Sequence, residues 1–207
     1  PVERALSKTI QIRTELTEEE SFDQIILATH REPQTDTLQL EQVNVQCSDG
    51  YISIDASCQT SNPKIYAVGE CADCNHSAAL AIAQGRIAAE SACGIDAHLD
   101  STYVPQVVWS SPEIAQCGSL DSTNTVSVKW GNSGLAVALS QQQGLTMVSF
   151  DPETHAILGV GITGFGAIEM ISEGVLALEM GATLYDLLST IRPHPTRCEM
   201  LSEAART

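Results

Sequence analysis

The spacing of apolar residues in the first third of the chain predicts strands. Residues 8–16 (KTIQIRTEL) alternate apolar and polar side chains as a half-buried strand does, and the acidic run that follows them predicts a turn. Residues 22–29 (FDQIILAT) and 64–70 (KIYAVGE) are short apolar runs, which are typical of buried strands. A short helix is predicted near Leu38, and the pair Asp49-Gly50 predicts a turn between two further strands.

Helical spacing begins near Ala78. The alanine-rich residues 78–93 predict a helix that Gly94 ends, and the proline-containing stretch 98–106 predicts a domain boundary. In residues 110–118 (SSPEIAQCG), serine followed by proline predicts the start of a helix. The other predicted elements are strands at 106–110 and on both sides of the turn at 151–155, and helices at 167–181, at 184–191 and after residue 195.

The composition excludes several classes of partner. The 207 residues include 26 acidic and 10 basic side chains, and the net charge of −16 repels phosphate backbones and anionic membrane surfaces. Nucleic acid and membranes are therefore not expected partners. A hydrophobic content of 43% supports a folded core, and no apolar stretch reaches the roughly 18 residues of a membrane-spanning helix. Seven cysteines without the spacing of a disulfide scaffold indicate reduced intracellular thiols.

One candidate for chemistry lies near the end of the chain. Pro193 and Pro195 restrict the backbone on both sides of His194, which predicts a rigid and exposed junction before the last helix. Glu199 follows five residues later, and a carboxylate at that distance can orient an imidazole for work as a general base. Residues 196–199 (TRCE) also fit a capping box, in which Glu199 only closes the helix start.

A second candidate follows the strand predicted at 64–70. Gly69 and Glu70 stand at its carboxyl end, where nucleotides commonly bind in open α/β sheets and where a carboxylate can accept hydrogen bonds from ribose or ribitol hydroxyls. Cys71, Cys74 and His76 come next, but a second ligand pair at zinc-finger spacing is missing, so ordinary thiols are favoured and no metal site is expected.

The glycine run GITGFG at residues 161–166 is a further candidate. It has glycines at phosphate-loop density but lacks the order G-x-G-x-x-G and the strand–helix–strand setting of a dinucleotide site. A turn from strand to helix with close backbone packing is therefore predicted.

Six motifs occur in an order that resembles the flavin-dependent pyridine-nucleotide disulfide oxidoreductases. Within that family the chain looks most like the dihydrolipoamide dehydrogenases, because ALEMGATLYDLLSTI precedes the histidine. The resemblance runs from about Phe22 to the end and corresponds to the C-terminal half of such an enzyme. Because the sequence starts at Pro1 without a Met, we expect it to begin inside a longer polypeptide. The motifs are FDQIILATHREPQT, IYAVGE, YVPQVVWSSPEIAQCG, FDPETHAILGVGITG, EMISEGVLALEMGATLYDL and HPTRCE.

The resemblance implies an α/β plus α+β fold in three parts. Residues 1–34 would be the tail of an NAD-binding domain, and residues 35–102 the C-terminal part of an FAD-binding domain. Residues 103–207 would be an interface domain of antiparallel sheet and helices that pairs two subunits.

The resemblance also assigns roles to single residues. His194 would be the active-site base, contributed across a homodimer interface to the partner's flavin and disulfide, and Glu199 would orient it. Glu70, after Gly69, would bind the ribitol of FAD, and Ala78 would contact the flavin through its backbone. His30 takes the place of a glycine that lines the NAD site.

The implied reaction is the oxidation of dihydrolipoamide by NAD+, with NADP as the open alternative. The partner would be a lipoyl-bearing protein of a 2-oxoacid dehydrogenase complex, in the cytoplasm or the mitochondrial matrix. FAD and NAD would bind only with the missing N-terminal half, so the 207-residue chain alone is expected to be inactive. The alternative hypothesis is a non-catalytic dimerisation fragment or a degenerate relative.

Besides His30, four positions depart from the family pattern. Glu70 stands for an aspartate, Ala79 and Arg192 for histidines, and Leu135 for an arginine. These changes leave the fold intact and bear on cofactor binding.

Overall fold

The structure is a computed structural model that describes residues 10–13, 19–24, 26–72, 77–100, 102–120 and 123–206. The chain divides into two compact units, Pro1–Pro33 and Gln34–Thr207. Within the described residues, no helix has the length and apolar character needed to cross a membrane.

The first unit contains one small antiparallel sheet. Strand β1 (Ile10–Arg13) lies within the strand predicted at 8–16, and it pairs with β2 (Glu19–Phe22). The turn predicted before Phe22 is therefore wrong in part, because three of its residues belong to β2. The buried strand predicted at 22–29 is also wrong beyond Phe22: the described residues there have no regular structure, and Ile26 is 92% exposed. A buried strand needs neighbours that take its backbone hydrogen bonds, and apolar composition does not supply them.

The second unit opens with short elements. Two 3-10 turns, Asp36–Leu38 and Leu40–Val43, replace the short helix predicted there. The hairpin predicted around Asp49-Gly50 is confirmed: β3 (Cys47–Ser48) and β4 (Tyr51–Ile52) pair antiparallel, and both turn residues have positive φ, as a tight hairpin turn requires.

The strand predicted at 64–70 is wrong. Tyr66 makes one isolated bridge with Gln59, and the segment ends in a 3-10 turn, Gly69–Cys71. The segment has buried or half-buried side chains at Ile65, Tyr66 and Ala67. Apolar residues therefore mark its burial correctly but not its pairing.

Helix α1 (Ala78–Ala92) confirms the helix predicted at 78–93. The Ser77 hydroxyl accepts a hydrogen bond from the N–H of Leu80 and caps the helix start, and Gly94 with φ of 81° ends it. Its inner face packs on a small core that includes Cys58 and Ala97.

A five-stranded antiparallel sheet organises the rest of the second unit. The elements in chain order are β5 (Gln106–Val108), β6 (Ile114–Gly118), β7 (Thr125–Lys129), α2 (Gly134–Ala138), β8 (Leu145–Phe150) and β9 (Ile157–Thr163). The sheet order is β5-β6-β9-β8-β7.

Strands β5, β8 and β9 confirm the predicted strands. The helix start predicted at Pro112 is wrong, because β6 follows it and buries the alternate residues Ala115 and Cys117. Strand β7 and the short helix α2 were not predicted.

Three predicted helices cover this sheet. Helix α3 (Ala167–Glu179) packs on β9 and β6, α4 (Leu184–Ser189) packs on α5, and α5 (Glu199–Arg206) packs on β8 and β7. Sheet and helices share one core. Its most deeply buried members are Ala115, Trp130, Val148, Val160, Ala167, Leu201 and Ala204.

Two glycines pack on Trp130, and one of them, Gly164, belongs to the GITGFG run. The indole Nε1–H donates to Thr146 Oγ1 at 2.9 Å inside the core. A Cβ at Gly164, which has φ of 142°, or at Gly144 would overlap the indole ring. The run thus forms the turn from β9 to α3, with close backbone packing as predicted.

We expect Gly159→Ala to lower the free energy of unfolding by about 1–3 kcal/mol, the usual cost of overpacking. A Cβ there would overlap the backbone carbonyl of Ser119, which cannot rotate away. Gly131→Ala is the matched control, since nothing lies within 4 Å of its added Cβ. Urea unfolding of the two variants is the measurement, and equal stability loss would contradict the close approach of Ser119 to β9.

Candidate functional site

His194 lies in the segment that joins α4 to α5, and its side chain is 82% exposed. Its Nδ1 is 2.7 Å from Glu199 Oε1, so the predicted pairing of imidazole and carboxylate is present. Glu199 is the first residue of α5. The helix start therefore places a carboxylate directly against an imidazole that faces outwards.

The second oxygen of Glu199 serves the backbone. Its Oε2 accepts a hydrogen bond from the N–H of Thr196 at 2.7 Å, which is half of a capping box. The Thr196 hydroxyl donates to the carbonyl oxygen of Pro193 at 2.8 Å and braces the same loop. The two interpretations of Glu199 are therefore compatible, because one oxygen caps the backbone while the other holds the ring.

This arrangement determines which ring nitrogen of His194 is available. The hydrogen bond from His194, and then that from the Thr196 N–H, hold the pKa of Glu199 below its ordinary value. An ionised carboxylate only accepts hydrogen bonds, so Nδ1 carries the proton that points at it. In the neutral ring Nε2 then has its lone pair free to accept a proton, which is what a general base needs.

Two other side chains of this segment serve its structure. The Arg197 guanidinium stacks on Phe165 at 4.7 Å from the ring centroid and donates to Gln141 Oε1 at 2.6 Å. Cys198 is half-buried; burial, and secondly the charge of Glu173, raise the pKa of its thiol. A protonated thiol is a poor nucleophile, so Cys198 is not a candidate nucleophile.

The second candidate centres on the turn Gly69–Cys71. Gly69 has φ of 78°, and its N–H donates to Gln84 Oε1 at 2.6 Å. Gln84 lies on α1 and is only 2% exposed. This buried amide fixes the turn that carries the exposed Glu70 against the helix. Gln84 was not singled out in the sequence, where its signal is a polar side chain on the apolar face of an alanine-rich helix.

The start of α1 borders a cavity of about 1000 Å³. Ala78 and Ala79 line it together with Tyr103 and Cys117. Both alanines are exposed, and the first N–H groups of any α-helix have no partner within the helix. Small side chains at a helix start let a ligand approach the backbone, so this region has the features needed to hold part of an elongated, hydrogen-bond-accepting cofactor.

The other residues singled out in the sequence are His30, Cys74 and His76. His30 belongs to the first unit, where its Nε2 lies 3.3 Å from Glu32 Oε1. Cys74 and His76 lie outside the described residues. Among the residues that the structure describes, no group of three or more His, Cys, Asp or Glu side chains is placed to bind a metal.

Comparison with known proteins identifies the family. A sequence profile of the pyridine nucleotide-disulphide oxidoreductase dimerisation domain matches residues 104–205, and the pyridine nucleotide-disulphide oxidoreductase profile matches residues 2–88. The chain belongs to the pyridine nucleotide-disulphide oxidoreductase family. The predicted fold class is thereby confirmed, as is the resemblance on which it rested.

Curated relatives share this assignment. The chain is 42% identical to a dihydrolipoyl dehydrogenase of Thermus scotoductus over 91% of its length, and 35% identical to one of Bacillus subtilis over 88%. It spans 42% and 41% of those two proteins, less than half of each.

Solved structures agree on the fold. LpdA of Mycobacterium tuberculosis matches 97% of the chain with a TM-score of 0.88 and 23% identity, over 46% of its own length. The flavoprotein disulfide reductase RclA of Escherichia coli also matches 97%, with a TM-score of 0.86 and 19% identity, over 48% of its length.

We expect Gln84→Met to lower the free energy of unfolding by about 1–3 kcal/mol, because the Gly69 N–H loses its acceptor in a buried place. The matched control is Ile82→Met on the exposed face of α1, which should stay within about 0.5 kcal/mol of the parent. Urea unfolding measures both. A Gln84→Met variant as stable as its control would show that the amide does not hold the turn.

We expect the stability lost in Glu199→Gln to depend on pH. Because the pKa of Glu199 is lowered on folding, its charge stabilises the chain above the unfolded value of about 4.3 and ceases to do so as pH falls through the folded value. The difference in Tm between parent and variant should thus be full at neutral pH and shrink in acid. In a His194→Gln background a smaller pH-dependent difference should remain, since Thr196 still donates. A difference that is constant with pH would contradict the hydrogen bonds from His194 and Thr196 that lower the pKa of Glu199.

Proposed function

We propose that the chain forms the C-terminal part of a flavoprotein that oxidises dihydrolipoamide with NAD+, and that His194 is its active-site base. The observation that carries the proposal is the ring whose Nδ1 is held by Glu199 at 2.7 Å while the side chain stays 82% exposed. This leaves Nε2 facing outwards, where a substrate thiol supplied from elsewhere can reach it. The dihydrolipoyl dehydrogenases among the relatives support this substrate class.

The chemistry requires a base of this kind. A dithiol attacks a disulfide only as a thiolate, so Nε2 of His194 takes a proton from one substrate thiol. Thiolate attack forms a mixed disulfide, and closure of the lipoyl ring leaves the protein disulfide as two thiols. Over the full reaction the dithiol loses two electrons and two protons, NAD+ takes a hydride, and one proton enters solvent. Glu199 stabilises the imidazolium that exists between these proton transfers.

The same proposal assigns the second region to FAD. Glu70 would accept hydrogen bonds from the ribitol, and the backbone at Ala78 would contact the ring system. The turn held by Gln84 and the cavity beside α1 fit such a ligand. When bound, FAD would carry the two electrons from the dithiol pair to the nicotinamide. His30 would lie beside NAD, where it brings a bulky side chain to a position that is glycine in the family.

A symmetric homodimer would join the two regions. Neither His194 nor Glu199 is among the residues that line the cavity beside α1. Within one copy, the proposed base therefore does not border the proposed flavin region. Exposed apolar side chains on α3, on α4 and in the segments beside them suit burial against a second copy. They are Phe165, Leu176, Met180, Tyr185 and Ile191.

The proposal also includes the domain limits and a partner protein. The domain limits are those of the sequence analysis, 1–34, 35–102 and 103–207. The partner of the complete protein would be a lipoyl-bearing protein of a 2-oxoacid dehydrogenase complex.

The second candidate function is a non-catalytic dimerisation module. The departures from the family pattern at His30 and Ala79 favour it, because both positions would contact a cofactor.

We expect His194→Gln to lower kcat for dihydrolipoamide oxidation by about 100- to 10,000-fold in the polypeptide that joins this chain to a flavin-binding half. Glutamine keeps the polarity and approximate size of the side chain but cannot act as a base at neutral pH. His98→Gln is the matched control, because His98 is also exposed and lies 2.9 Å from a carboxylate, that of Asp96. The measurement is steady-state turnover of both variants.

The control should retain parental turnover. Equal turnover in His194→Gln and the parent would overturn the proposed base. A purified dimer of the complete polypeptide without flavin absorbance would favour the dimerisation module instead.

A further inference from the structure

Two residues before His194, the side chain of Arg192 turns into the protein. Only 5% of it is exposed, although arginine is usually a surface residue. Its Nε donates to Glu173 Oε1 at 3.0 Å, and Nη2 contacts the same oxygen. Its Nη1 donates to the carbonyl oxygen of Leu187 at 2.8 Å and to that of Thr190 at 3.2 Å, and it also contacts Ser202 Oγ.

These partners belong to three helices. Glu173 lies on α3, Leu187 on α4 and Ser202 on α5. A guanidinium presents five N–H donors in a rigid fork and can hold several acceptors at set angles, whereas an ammonium acts as a point charge on a flexible stem. Arg192 therefore determines where the segment between α4 and α5 leaves the protein interior.

That segment carries His194. Because the imidazole is mostly exposed, packing orients it little, and its position follows from Glu199 and from the backbone on both sides. Thr196 and Glu199 fix the backbone after the ring. Before the ring, the side chain of Arg192 ties the backbone to the three helices.

We propose that Arg192 is a positioning residue for the base: through its fork to α3, α4 and α5 it holds His194 where Nε2 can meet a substrate thiol. The inference rests on the proposed role of His194 in dithiol oxidation. Arg192 touches neither the ring nor a reacting atom, so its effect is on geometry. Misplacement of a catalytic group by about 1 Å can lower a rate on the order of 100-fold.

A single truncation of Arg192 would not separate positioning from stability. Arg192→Met alone leaves the partly exposed Glu173, whose side chain is 31% exposed, without its cation, and the loss of a buried guanidinium and its ion pair destabilises a fold whether or not the arginine positions His194. The informative variant is Arg192→Met with Glu173→Gln, which removes both charges. Its matched control is Arg206→Met with Glu203→Gln, which removes an exposed ion pair of 3.4 Å from α5.

The experiment measures Tm, kcat and KM for dihydrolipoamide oxidation in the complete polypeptide. We expect the Arg192/Glu173 double variant to regain only the part of the Tm that the unpaired charge of Glu173 costs, while its kcat stays about 10- to 100-fold low and KM is unchanged. The control pair should keep all three parental values. Recovery of kcat together with Tm, or a change confined to KM, would overturn the positioning role.

Arg192→Lys keeps the proposal testable if the double variant does not fold. Lysine retains the charge beside Glu173 but cannot reproduce the fork, so we expect a near-parental Tm with a kcat at least several-fold lower. A parental kcat in this variant would overturn the inference. His194→Gln distinguishes the two proposals: parental turnover there means that the base is misassigned. If His194→Gln lowers turnover while the Arg192 variants keep parental turnover, the base is supported and only the positioning role of Arg192 is overturned.

Discussion

The site depends on the carboxylate of Glu199, because each of its two oxygens makes a different hydrogen bond. One accepts the N–H of Thr196 at the start of the last helix, and the other holds Nδ1 of His194. A free imidazole exchanges its proton between two nitrogens, whereas this ring keeps the proton on the side of the acid. The first residue of the last helix thus fixes the tautomer of an exposed histidine and leaves the lone pair of Nε2 available.

The rest of the second unit keeps that helix in place. Helix α5 rests on β7 and β8, and those strands close around Trp130, which the backbones of Gly144 and Gly164 approach too closely for any side chain. Arg192 ties the loop before the histidine to helices α3, α4 and α5. His194 therefore combines an exposed side chain with a backbone anchored in the core, which suits its proposed role as a base.

Local signals predicted part of the five-stranded sheet and the helices that cover it, but not β6, β7 or α2. Turn residues, helical spacing and stop glycines located β8, β9, α3 and α4, and the spacing of His194 and Glu199 predicted their contact. The strands expected at 22–29 and 64–70 are absent from the described residues there, because a buried strand depends on neighbouring strands that its own residues do not specify. The roles of Gln84 and Arg192 were equally hidden, since each depends on a partner at least 15 residues away.

The most direct test of the base separates the two halves of the reaction. In the complete polypeptide, stopped-flow spectroscopy measures how fast the flavin–disulfide centre is reduced by dihydrolipoamide and, separately, by NADH. Only the dithiol must lose a proton to a protein base before it reacts, so we expect His194→Gln to slow reduction by dihydrolipoamide and to leave reduction by NADH unchanged. Equal slowing of both reductions, or of neither, would contradict it.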